Sequence, residues 1–261
     1  MKWQDFEDEC TTYLNRRFKE YATFYQRGGS NSNESDIEVI TKSQKSFFIE
    51  SKFCPAQCGQ FVLLPNVIKR SFEYSHLNFT KLNCYSLAII QYMNEHFDEY
   101  LNAGTAGKDI NMKNGSDIFS AWIVQAYKDK GAEFIITNGN VILPIDDLKK
   151  CFNVCARYRV KRSGSQNVGW SRIEAVSRYL KENYELKSIK ANGEKLFVES
   201  ERFIHGARFV LDGYEYMISK RGERYELRRL SNTFNANVIF SIDLKYGASG
   251  LSDDEFISFL H

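Results

Sequence analysis

"SNESDIEVITKSQKSFFIESK", residues 32–52, decides how the first half of the chain folds. Two short apolar stretches, DIEVI (36–40) and SFFIESKF (46–53), flank the polar run TKSQK, a pattern of two strands joined by a turn. Alternation along the second strand puts Phe47, Ile49, Ser51 and Phe53 on one face, and Phe48, Glu50 and Lys52 on the other. The first face suits a core, so Glu50 and Lys52 project together from the second. With the turn centred near residues 43–44, antiparallel pairing brings position 36 opposite positions 50–52. Asp36 then meets Glu50 and Lys52 across thirteen intervening residues.

Two carboxylates and a lysine at one point suit phosphodiester hydrolysis. Carboxylates are hard oxygen ligands for Mg²⁺, which keeps several of its waters. The ion neutralises charge on phosphate and acidifies a bound water, which the lysine positions or activates. Desolvation and a nearby cation would lower the lysine pKa for that task. The same spacing also fits a solvent-facing hairpin with an ordinary Glu–Lys pair. The acid–any–Lys tripeptide alone is weak, because Asp147-Leu-Lys149, Glu185-Leu-Lys187 and Asp243-Leu-Lys245 share it. Asp243 is the serious rival: VIFSIDLK is a strand, and Glu226 lies on a strand upstream. The segment between them, LRRLSNTFNAN, is long for a tight hairpin, which ranks that pair second.

Around this hairpin the pattern is mixed α/β. Trp3, Phe6, Cys10, Tyr13, Leu14 and Arg17 recur at helical spacing over residues 2–21, and QRGGSNSNES follows as a polar loop. Helices are predicted over 85–101 and 117–130, the second capped by Ser116 or Asp117 and stopped by Gly131. EFIITNGNVILPI is a hairpin turning at Asn138-Gly139. A short helix near 146–152, the basic strand CARYRVKR and a helix near 171–183 come next. Strands dominate from 195 onward, with a turn at Asp212-Gly213 and a late strand ANVIFSIDLK. The expected division is a core over 1–185 and a β-rich extension over 186–261 packed on it.

Charge is nearly balanced overall, but its distribution is uneven. Residues 1–40 hold five basic and eight acidic residues, whereas 151–178 hold six basic and one acidic. An acidic end for cations and a basic stretch for phosphates would fit this pattern, as would uneven solvated charge. With no apolar run near membrane length and no signal-peptide core, the chain reads as cytosolic, with reduced thiols. Cys54/Cys58 and Cys151/Cys155 form two CxxxC pairs; packed free thiols suit them better than zinc, for which no histidine gives support.

Taken together, the helix carrying Phe6-Glu7, the loop RGGSNSNESD into Asp36, and IESK at 49–52 resemble the PD-(D/E)xK nuclease superfamily. Within it the chain is similar to type II restriction endonucleases of the HhaI kind. CGQFVLLPN (58–66), YRVKRSGS (158–165) and LSNTFNANVIFSI (230–242) carry that likeness, which covers most of the chain and is weakest around 166–225. The resemblance implies a mixed sheet flanked by helices, and a Mg²⁺-dependent enzyme cutting both DNA strands at GCGC to leave 5′-phosphate and 3′-hydroxyl ends. It implies Asp36 and Glu50 as metal ligands and Lys52 as the residue positioning the attacking water. Glu7 becomes a supporting acid, and Gln57 and Gln60 lie where some members keep a glutamine near the site. Ser35 stands where the motif has proline. A cognate DNA methyltransferase is implied as a functional, not a physical, partner.

A sequence-specific enzyme needs phosphate contacts for position and base-edge contacts for identity. RYRVKRSGSQN (157–167) offers both kinds: Arg157, Arg159, Lys161 and Arg162 pair well with guanine edges, and Ser163, Ser165, Gln166 and Asn167 reach bases or phosphates. SKRGERYELRR (219–229) reads as a phosphate grip, and SNTFNAN (231–237) as turns. A structure-selective or repair nuclease, or a non-catalytic DNA-binding protein, would use the same basic stretch. The sequence leaves open whether one chain or a symmetric pair cuts.

Overall fold

The computed structural model describes residues 3–27 and 35–261; most of the glycine-bearing loop and the Trp3 side chain lie outside the described residues. In chain order the elements begin with α1 (Trp3–Phe18), β1 (Ala22–Gln26), β2 (Ile37–Thr41), β3 (Ser46–Lys52), β4 (Ala56–Asn66) and β5 (Ser71–Tyr74). There follow α2 (Cys84–Glu95), α3 (Phe97–Leu101), β6 (Lys108–Asp109), α4 (Gly115–Lys128), β7 (Ala132–Thr137), β8 (Val141–Pro144) and α5 (Leu148–Cys151). Then come β9 (Phe152–Arg162), β10 (Ser165–Gln166), α6 (Ile173–Asn183), β11 (Ser188–Asn192), β12 (Lys195–Glu199) and β13 (Arg208–Leu211). The chain ends with β14 (Tyr214–Arg221), β15 (Arg224–Leu230), β16 (Phe234–Leu244) and α7 (Asp253–Leu260).

Two units result: Met1–Arg159 with Ala236–His261, and Val160–Asn235. The first holds two sheets, ordered β1-β2-β3-β7-β8 and β5-β4-β16-β9-β6. In the first sheet β3 pairs antiparallel with β2 and parallel with β7, giving the expected mixed sheet. One face of it is covered by α1 and α7, whose Phe6, Cys10, Leu14, Phe18, Phe256 and Leu260 pack with Ile37, Val39, Phe47 and Ile49. Spacing of those α1 residues by four makes the apolar stripe that docks the helix. Helix α4 carries the aromatic contact to the second sheet: Trp122 stacks on Phe240 of β16 at 4.2 Å, with Phe61 of β4 beside it.

The second unit has its own sheet, β11-β12-β15-β14-β13, with β10 pairing β15. Val176 and Leu180 of α6 cover Leu196, Val198, Tyr216, Ile218 and Leu227. This arrangement differs from the division expected at 185. β10 belongs with the later strands because it pairs with β15, and α6 because Val176 and Leu180 close that core. β16 returns to the first unit because Val238, Ile239 and Phe240 pair with β4 and are buried there. The β-rich segment is thus an insertion, not a C-terminal extension.

Smaller differences have local causes. The helix expected over 85–101 breaks at His96 (φ −115°, ψ 33°) into α2 and α3. Asn114, in the left-handed conformation, starts α4 without a side-chain cap, so neither Ser116 nor Asp117 caps it. The Asn138-Gly139 turn and the Asp212-Gly213 turn both form, with Asp212 and Gly213 at positive φ as a tight hairpin between β13 and β14 requires.

Candidate active site

Pairing of Ile37 with Ile49 fixes the register of the β2–β3 hairpin, and Asp36 falls opposite Glu50 as the turn position predicts. Asp36 is anchored by the backbone of the next strand: its Oδ2 accepts from the Ser51 amide at 2.8 Å and the Ser51 hydroxyl at 3.2 Å. Lys52 Nζ donates to the same oxygen at 2.8 Å and lies 2.7 Å from Glu50 Oε2. The three side chains therefore converge. They are not surface charges: Glu50 is 3% exposed, and Lys52 and Asp36 keep only 14% and 15% of their side-chain surface.

Burial alone would lower the Lys52 ammonium, but Glu50, Tyr127 and Asp36 outweigh it and hold the group well above its ordinary range. The lowering expected from the sequence is thus reversed with these carboxylates as partners. Glu50 Oε1 is buried and has no hydrogen-bond partner. An orphaned carboxylate oxygen beside a second carboxylate suits a hard cation. Among the described residues no group of three or more His, Cys, Asp or Glu gathers to hold a metal. The protein donors would be the two carboxylates, a set sufficient for Mg²⁺ with its waters.

Glu7 projects from α1 into the same neighbourhood. Burial pushes its carboxyl up to about 7; Asp36 adds to the rise, and Lys52 and a hydrogen bond from Gln26 oppose it. A cavity of about 470 Å³ opens at Asp36, Glu50 and Lys52 and runs past Gln57, Gln60 and Trp122. Gln60 Oε1 accepts from Asn237 Nδ2 at 3.0 Å and from Gln57 Nε2 at 3.4 Å, so both glutamines line the cavity in one amide chain. Gly59 is required at its floor, because a Cβ there would meet the Trp122 ring at 2.8 Å.

The residues expected to contact DNA are placed less uniformly. Arg157, in the first unit, is paired with Asp109 at 2.7 Å. Arg159 lines a separate cavity with Gln57, Cys155 and Ser241. In the second unit Arg162 is ion-paired with Glu215, and Lys161 is exposed with no ion pair among the described residues. Ser163 bonds to Ser231 and Thr233; the turn expected over 231–237 is confined to 231–233, because Phe234 already begins β16. Arg228 donates to Ser165 Oγ at 3.1 Å and to Asn167 Oδ1 at 2.6 Å, and Arg229 donates to Gln166 Oε1. The side-chain oxygens of that loop thus already have partners within the unit.

The rival acid–any–Lys set does not assemble. Lys245 Nζ donates to the carbonyls of Lys149 and Lys150, and Glu226 is taken up by Arg221 and Arg228. Cys54, Cys58 and Cys151 are buried free thiols, while Cys155 is exposed. Tyr127 is the site residue the sequence did not point to. It lies on α4, its hydroxyl is buried without a partner, and its ring is 5.8 Å from Lys52 Nζ. Nothing in the local pattern separates it from the core residues of the same helix.

The sequence matches no protein-family model and no curated protein. Among solved structures the chain is similar to that of HhaI endonuclease in complex with DNA. The two share 37% identity over 99% of this chain and 98% of that chain, with a TM-score of 0.78.

Proposed function

This chain belongs to the HhaI family of type II restriction endonucleases, and on that premise we propose that it is a Mg²⁺-dependent nuclease of the PD-(D/E)xK superfamily that cleaves both strands of DNA at GCGC. The convergence of Asp36, Glu50 and Lys52, with one oxygen of Glu50 buried and unpartnered, is the observation that carries the chemistry. Likeness along the whole chain, including the stretches 58–66, 158–165 and 230–242, supports the choice of site.

In this reading Asp36 and Glu50 are the metal ligands. A bound Mg²⁺ would supply charge neutralisation at the scissile phosphate and an acidified water. Ser51 fixes Asp36 through its amide and hydroxyl, so one ligand is set by backbone geometry. Lys52 orients the attacking water and offsets negative charge as the phosphate is attacked. Glu7 supports the site from α1 as a carboxyl that is readily protonated, and Gln60, held by Asn237, lies along the cavity wall. Hydrolysis leaves 5′-phosphate and 3′-hydroxyl ends.

For recognition, Arg157, Arg159, Lys161 and Arg162 are the candidates for guanine edges and phosphates, with Lys161 free of ion pairs among the described residues. Ser163, Ser165, Gln166 and Asn167, which follow them in the chain, are the candidates for further contacts to bases or phosphates. A cognate methyltransferase protecting the same sequence would accompany such an enzyme.

Incubating the purified protein with unmethylated plasmid, with Mg²⁺ and with EDTA, and sequencing the ends tests this reading. Discrete Mg²⁺-dependent fragments ending within GCGC are expected. Ends at another sequence would overturn the specificity, a smear would favour a structure-selective nuclease, and intact plasmid would overturn the activity.

A further inference from the structure

Of the residues that line this cavity, Glu50 and Tyr127 each keep a buried oxygen without a hydrogen-bond partner, Oε1 and the hydroxyl. A carboxylate oxygen of that kind is accounted for by a cation. A phenol is not, since it carries no charge for one. Leaving a hydroxyl buried and unpaired costs about 1–3 kcal/mol, and phenylalanine would fill the same space without that cost. Tyr127 is 3% exposed and lines the cavity with Asp36, Glu50 and Lys52. Its oxygen is therefore placed for something that the resting contacts do not use.

The neighbour that needs it is Lys52. An ammonium has three donors on a flexible stem, and Nζ contacts Asp36 Oδ2 at 2.8 Å and Glu50 Oε2 at 2.7 Å. Both partners are the proposed metal ligands. A cation drawing on their oxygens weakens both ion pairs, yet the lysine must stay in place to orient water. The Tyr127 ring lies 5.8 Å from Nζ, within the range of a cation–π contact. It sits on α4, an element separate from the β2–β3 hairpin that carries the carboxylates.

We propose that Tyr127 is the positioning residue of Lys52: its ring backs the ammonium, and its hydroxyl oxygen accepts the hydrogen bond that Asp36 and Glu50 yield on binding a cation. The proposal rests on the nuclease reading of the site and adds to it a residue outside the acid–acid–lysine set. Tyr127 acts through Lys52 and is not itself a catalytic residue.

Tyr127→Phe keeps the ring and removes the hydroxyl, whereas Tyr127→Leu removes both. In plasmid cleavage with Mg²⁺, Tyr127→Phe is expected to lower kcat about tenfold and Tyr127→Leu about a hundredfold, with KM for DNA unchanged. Without added metal, Tyr127→Phe should melt no lower than the parent protein. Reductive methylation of Lys52, read by mass spectrometry in Mg²⁺, should be about tenfold faster in Tyr127→Leu than in the parent, with Tyr127→Phe between them. Wild-type kcat in Tyr127→Phe would overturn the role of the hydroxyl. A kcat loss that tracks a fall in melting temperature would reduce Tyr127 to packing. If Tyr127→Leu does not fold, Tyr127→Phe decides alone in both assays. If the parent protein leaves plasmid intact, the nuclease reading fails, and the methylation rates still decide: faster labelling in the variants supports the placement of Lys52, and equal labelling overturns it.

Discussion

Two buried glutamates in this molecule are nearly equally hidden and have opposite surroundings. Glu50, on β3 of the first unit, is 3% exposed; Glu226, on β15 of the second, is 7% exposed. Burial alone would raise Glu226, but Arg228 and Arg221 hold it below the ordinary carboxylate range. Both of its oxygens accept from arginine, and Arg228 goes on to tie down Ser165 and Asn167. Glu50 has one oxygen on Lys52 and the other on nothing. A buried acid with every oxygen matched is scaffold, whereas one with an oxygen left over is poised for a ligand. The same contrast separates Glu7 from Glu226, since no arginine offsets the burial of Glu7 and its carboxyl rises to about 7.

The largest expected effect sets the two cation partners against each other. Lys52→Met should lower kcat by about a thousandfold, while Arg228→Met leaves kcat within about threefold. Arg228→Met should instead lose about 1–2 kcal/mol of stability, because it leaves Glu226 Oε1 without a donor while Arg221 keeps Oε2, and frees Ser165 and Asn167; urea denaturation measures this. A Lys52→Met enzyme with normal kcat would erase the distinction.

Glu7 sharpens the comparison through pH. Its carboxyl is raised in the folded chain, from 4.5 to about 7, so the native state binds the proton more tightly than the unfolded state does. Stability is then undiminished below pH 4.5 and falls as pH rises towards 7. Glu7→Gln should therefore gain up to about 3 kcal/mol at pH 8 without added metal, and nothing at pH 4. Melting curves at the two pH values check the sign; an equal change at both would show that burial does not perturb this acid.

Smaller effects belong to the basic stretch. Lys161→Ala should weaken DNA binding across sequences and reduce the salt dependence by about one counterion. Arg157→Ala should change that slope less, because Arg157 is already paired with Asp109. Fluorescence anisotropy over a range of salt separates them. Gln166→Ala, at an exposed contact with Arg229, should move stability by no more than about 0.5 kcal/mol; a larger loss would make that loop a structural element.

The hairpin site was legible because strand alternation and turn length are local, so positions 36, 50 and 52 could be brought together without knowing the rest of the fold. The β7–β8 and β13–β14 turns were legible for the same reason, from Asn138-Gly139 and Asp212-Gly213. The division of the chain was not. Whether β16 joins the strands just before it or those of the first unit depends on long-range pairing with β4, and its apolar sequence suits either sheet. The partners of residues 163–167 were equally hidden, since Arg228 and Arg229 lie more than sixty positions away, at separations of 61 and 63. Tyr127 escaped because a buried tyrosine on an amphipathic helix reads as core, and only its unmatched hydroxyl sets it apart.

Everything proposed for the chemistry depends on Glu50 acting as a metal ligand through its unpaired oxygen. Cleavage of unmethylated plasmid by Glu50→Gln in Mg²⁺, alongside DNA binding by the same preparation, tests it most directly. No detectable scission, with DNA affinity retained, is the expected result. Scission at the parental rate would contradict it and return Asp36, Glu50 and Lys52 to a buried ion-pair network without chemistry.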